Sequence, residues 1–143
     1  MSARQGLGDL FNAATSATTS KVRVNLKNAT GVTIFLIGAT SGAATINECN
    51  AASGGTEQLV GGGGSGVALQ YFTQNNGVWT AATGSGSQVT AATGGLLSVY
   101  IPAVLLASGF TYVDASHSAG SFVYVLHGLQ SKRYPPNFPD VRA

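Results

Sequence analysis

The chain has 143 residues, a formal net charge of +2, and only 8% charged residues, against about 25% in ordinary soluble domains. Gly, Ala, Ser and Thr make up nearly half of it, and the single cysteine, Cys49, excludes an intrachain disulfide or a cysteine-cluster metal site. The near-neutral balance, without a dense Lys/Arg stripe, argues against a nucleic-acid binder.

The length predicts one domain with its own core. Residues 1–20 lack the basic start and apolar run of a signal peptide, and no run of 18 apolar residues predicts a membrane span. This segment is polar and small, so it reads as an extended N-terminal arm, with Leu7, Leu10 and Phe11 as anchors on a neighbour. Residues 21–129 read as the β domain. Lys21–Lys27 alternates strictly, which is the period-2 signal of a half-buried strand. With Val32–Ile37 beyond an Asn28–Gly31 turn it suggests a hairpin, and Thr45–Glu48 suggests a short third strand.

Ala51–Gly66 is glycine-rich and loop-like. Val67–Thr73 and Val78–Ala82 flank Asn76-Gly77, the strongest hairpin signal in the chain, because Asn-Gly supplies the positive φ angles of a type I′ turn. Gln88–Ala92, Leu96–Ile101, Phe110–Asp114 and Phe122–Leu129 are further strands, and Pro102–Ser108 reads as a short helix with Pro at its first turn. Phe122–His127 is apolar on both alternating faces, as in a strand between two layers. Many short strands separated by glycine-rich turns predict an all-β fold, an antiparallel sandwich or barrel, read here as a β-sandwich/jelly-roll-like domain. Residues 130–143 hold three prolines in five residues and read as an extended, Pro-rich C-terminal tail.

Candidate chemistry is sparse. Gly61, Gly63 and Gly66 fit G-x-G-x-x-G, but a strand rather than a helix is expected after them, so a nucleotide site is not predicted. Asp114, Ser116 and His117 are sequence neighbours, and a triad needs side chains that point at one another; the segment from Asp114 to Gly120 reads as a loop, with His117 exposed or at an interface. Cys49, His117 and His127 match no zinc spacing, and the five acidic residues are dispersed. No catalytic residue, cofactor or metal is expected, and the chain is read as not an enzyme. Lys21, Arg23 and Lys27 read as a solvated strand face. Trp79 and Tyr71 flank the Asn-Gly turn and offer a carbohydrate-binding or adhesin module as a different class of function.

The N-terminal arm, the Gly/Ala/Ser/Thr-rich β domain, the late Phe122-Val-Tyr-Val-Leu strand and the closing Leu129-Gln-Ser-Lys-Arg-Tyr-Pro-Pro together resemble the decoration, or cement, proteins of tailed-bacteriophage heads. The resemblance implies a virion structural protein made in the host cytoplasm. It would bind the outside of the capsid as a homotrimer, with the major capsid protein as partner and no nucleic acid, membrane or small-molecule substrate. On that reading Leu7, Leu10 and Phe11 in the arm and Lys132, Arg133, Tyr134, Pro135, Pro136 and Phe138 in the tail touch the shell or neighbouring copies. Another phage component, a minor head, tail or coat protein, is the neighbouring expectation.

Overall fold

Eleven strands in two antiparallel sheets face each other across one apolar core in the computed structural model, which describes residues 13–17 and 20–128. In chain order the strands are β1 Ala13–Ala17, β2 Val24–Asn25, β3 Gly31–Ile37, β4 Gly42–Cys49, β5 Glu57–Leu59, β6 Gln70–Asn75, β7 Val78–Thr83, β8 Gln88–Ala91, β9 Leu96–Pro102, β10 Tyr112–Ser116 and β11 Ser121–His127. A six-stranded sheet runs β1-β11-β3-β9-β6-β7. A five-stranded sheet runs β2-β10-β4-β5, with β8 pairing the first half of β4. The predicted all-β sandwich is thus the fold observed.

The core forms because alternate residues of each strand point inward. Val32, Ile34 and Leu36 of β3, Leu97, Val99 and Ile101 of β9, and Phe122, Tyr124 and Leu126 of β11 supply one wall. Ala44, Ile46, Val89, Val113 and Ala115 supply the other. Burial pushes the Tyr124 hydroxyl up to about 12, and it lies beside Ser16 of β1.

Several sequence expectations change. Lys21–Lys27 contributes only the two-residue β2, and β2 pairs β10 rather than β3. The expected hairpin is absent because the Asn28 turn, with φ of 64°, carries the chain from one sheet to the other. Residues 13–17, read as part of the arm, are an edge strand, in which Ala13 lies opposite Val125 and Ala17 opposite Ser121. The β domain therefore begins before residue 21, and the composition of that segment concealed a ladder supplied by β11. Asp114–Ser116 belongs to β10 instead of a loop, since β4 offers it a full ladder. The Asn76-Gly77 hairpin is as predicted, with both residues at positive φ.

Pro102–Ser108 forms a single 3-10 turn, Ala103–Leu105, in place of a helix. An α-helix would need the Ala107 amide for Ala103, but that amide donates to Glu48 Oε2 at 3.0 Å. Glu48 is fully buried and also accepts from Gln58 Nε2 at 2.6 Å, Gly61 N at 3.2 Å and Gly62 N at 3.0 Å. One carboxylate thus ties β4, β5, the glycine-rich loop and the 3-10 turn together. Replacing Glu48 with Ala strips the acceptor from three backbone amides and the Gln58 side-chain amide, so Glu48→Ala is expected to lower stability by about 3 kcal/mol or more in urea denaturation.

Candidate interaction surface

The two outward faces of the sandwich differ in kind. Register places Ala13, Thr15 and Ala17 of β1, Val123 and Val125 of β11, Phe35 and Ile37 of β3, Leu96, Ser98 and Tyr100 of β9, Phe72 and Gln74 of β6, and Trp79 and Ala81 of β7 on the outer side of the six-stranded sheet. No Asp, Glu, Lys or Arg lies on this face among the described residues. Four of its large side chains are open to solvent: Ile37 is 48% exposed, Phe72 49%, Trp79 45% and Tyr100 46%; Phe35, Leu96, Val123 and Val125 are half-buried. Antiparallel sheets with a wet side ordinarily alternate apolar-in with polar-out. Here β3 and β11 are apolar on both sides; the sequence placed Phe122–His127 of β11 between two layers, yet only the core side is covered by the described residues.

Six strands about 4.8 Å apart and five to seven residues at about 3.4 Å each give a face of roughly 500 Å² in projection. That is within the roughly 300–600 Å² of the largest patch on an ordinary monomer, a size that is often functional, and it approaches one side of a small protein–protein interface. One end of the face carries a polar rim. His127 Nε2 lies 2.7 Å from Thr33 Oγ1, and the Tyr100 ring meets His127 edge-on at 5.8 Å. Tyr100 also covers Gly31, where a Cβ would collide with its ring, so glycine is required there. Because Ala13 is opposite Val125, β1 begins and β11 finishes at this same end. The arm and the tail are attached side by side there. Their candidate residues Leu7, Leu10, Phe11, Lys132, Arg133, Tyr134, Pro135, Pro136 and Phe138 lie outside the described residues.

The outer side of the five-stranded sheet is ionic. Lys21 and Arg23 both pair with Glu57, Arg23 Nη2 at 3.1 Å from Glu57 Oε2. Arg23 Nε lies 3.5 Å from Asp114 Oδ2, and Arg23 Nη1 donates to the Ala51 carbonyl at 2.9 Å. Asp114 is fully buried beneath Arg23 and accepts from Asn47 Nδ2 at 3.2 Å and Cys49 Sγ at 3.3 Å. Burial raises the Asp114 carboxyl above its ordinary value of 3.8, against the hydrogen bond from Asn47. Burial and the Asp114 carboxylate push the Cys49 thiol up to about 12, so it stays protonated. Cys49, Glu57 and Asp114 bring ligand atoms within 4.8 Å of one another. Lys21 and Arg23 already supply the positive charge that a metal would bring. Acidic residues read as dispersed are therefore gathered by β5 and β10, and the basic strand face is engaged rather than simply solvated.

The other candidates separate. His117 is buried, with Nδ1 2.9 Å from the Ala119 carbonyl, and its ring is held by its own loop rather than by Ser116. Gly61 and Gly62, two amides of the G-x-G-x-x-G stretch, are occupied by Glu48 instead of facing a phosphate. Tyr71 is buried in the core while Trp79 projects outward, so the two do not form a joint sugar platform. Among the described residues no helix is long and apolar enough to cross a membrane. The chain matches no protein-family model and no curated protein.

Glu57 gives this cluster a pH signature. Burial opposes its ionisation, but the hydrogen bonds from Lys21 and Arg23 outweigh it and hold the carboxyl below its ordinary value of 4.5. A depressed folded-state pKa contributes stability above the unfolded value, lost as pH falls through the folded one. Glu57→Gln is expected to cost about 0.5–1 kcal/mol at neutral pH. The difference from the parent protein should vanish in acid below the ordinary carboxylate range, as read by thermal melts across pH.

Proposed function

We propose that the chain is a structural subunit of a tailed-phage particle, a decoration protein that attaches to the outer surface of the head through the apolar face of its six-stranded sheet. The observation that carries this reading is the charge-free outer side of that sheet, which needs a cover that the described residues do not provide. A subunit that spends its life seated on a larger body can leave such a face; a freely diffusing one normally guards it with charge. The junction of arm and tail at one end of the same face supports their use as straps over the contact. Extended straps add contact area, and prolines in the tail reduce the ordering cost. In this reading the shell partner is the major capsid protein, the copies gather as trimers on it, and no substrate or cofactor is involved. The ionic cluster on the opposite face then faces solvent and keeps the assembled particle hydrated.

The test is mass spectrometry and antibody labelling of purified particles whose genome encodes the chain. Many copies per particle, labelled on the head exterior, are expected; absence from the particles overturns the reading. Ile37→Lys puts a charge on the exposed end of β3 without touching the core. It should leave the far-UV circular dichroism unchanged and reduce head occupancy at least about tenfold, as expected where a lone charge is buried without a partner.

A further inference from the structure

Among the described residues β7 ends the six-stranded sheet on one side, and its ladder runs with β6 alone. The Asn76-Gly77 turn decides which of its backbone groups remain free. A two-residue turn of this type makes Asn75 and Val78 a hydrogen-bonded pair, so even-numbered residues of β7 direct their backbone toward β6 and odd-numbered ones away. Gly84 N donates to the Leu69 carbonyl at 2.7 Å, which continues the same parity beyond the strand. The outward donors and acceptors are therefore those of Trp79, Ala81 and Thr83. Natural sheet edges are usually guarded by lysine, proline, a bulge or brevity. Val78–Thr83 has six residues, no charge and no proline, and its register with β6 contains no bulge.

We infer that β7 pairs with β7 of a second copy, antiparallel, about a two-fold axis at Ala81. Only registers that set odd residues opposite odd residues join the free groups of both strands. Centring on Ala81 uses all three: Ala81 faces Ala81, and Trp79 faces Thr83, for about six backbone hydrogen bonds. The same odd residues point to the outer face, so the apolar faces of the two copies become one surface. Nothing in the strand opposes like charge to like charge on self-pairing, and Trp79 against Thr83 is a favourable aromatic with β-branched pair. The small side chain at the axis leaves the backbones free to reach ladder distance. A self-complementary, uncharged edge suits a second copy better than a foreign strand, which would need to match it by chance. This contact is separate from attachment to a shell and forms between copies in solution, either as a dimer or as a bridge between trimers.

Ala81→Pro removes the central outward amide and leaves every hydrogen bond between β6 and β7 in place. Sedimentation of the purified full chain should give the variant half the parent's mass, with unchanged far-UV circular dichroism. A charge pair keeps the question open to refutation if the proline disturbs folding. Ala81→Lys and Ala81→Glu each set like charges face to face at the axis, so each alone should also halve the mass. Mixing the two should restore the parent mass, because residue 81 of one copy faces residue 81 of the other. A monomeric parent, single-charge variants of undiminished mass, or a mixture that stays at half mass each overturns the pairing. None of these readings depends on head occupancy, so failure here is distinguishable from failure of the shell-binding proposal.

Discussion

Two stacked sheets have four faces and can hide only two of them against each other. The chain meets this constraint unevenly. On the five-stranded sheet the outer side holds Arg23, Glu57, Lys21 and the buried Asp114, joined in one network. On the six-stranded sheet the outer side carries Phe35, Ile37, Val123, Val125, Leu96 and Tyr100, with nothing ionised among them. The described residues hold only six charged side chains, and their placement on or behind one sheet leaves the other without repulsion toward a neighbour.

The inner architecture relies on polar groups that are fully satisfied. Glu48 faces the core side of β4, a position where an isolated carboxylate would be prohibitively costly. Four donors from three separate segments surround it, so the charge organises one end of the sandwich. The glycine-rich loop supplies two of those donors, which explains why a stretch resembling a phosphate cradle is spoken for by the protein itself. Asp114 shows the complementary solution on the outer side, where a side-chain amide, a thiol and a guanidinium take up its oxygens.

The sequence made the sandwich legible wherever the signal was local. Asn76-Gly77 announced its hairpin because turn chemistry is a matter of two residues. The apolar runs Val32–Ile37 and Phe122–His127 announced central strands, but the second layer that the two-sided Phe122–His127 run implied is not among the described residues. What stayed hidden depends on distant partners. The Ala13–Ala17 segment has no apolar periodicity and becomes a strand only beside β11, more than a hundred residues later. Lys21–Lys27 alternates well, yet its neighbour is β10 and the ladder lasts two residues. The ionic cluster joins residues from 21 to 114, a convergence that spacing does not reveal. The free parity of β7 is the opposite case: once the turn type is known, the direction of every amide along the strand follows.

The junction of both ends of the domain at one corner has a practical side. Ala13 and His127 stand on neighbouring strands at the same end of the sheet. A short linker between them would close the polypeptide into a loop, and the chain could then be reopened at an exposed turn such as Asn76-Gly77. Peptides grafted at the new ends would emerge far from that corner, which makes the scaffold suitable for multivalent display.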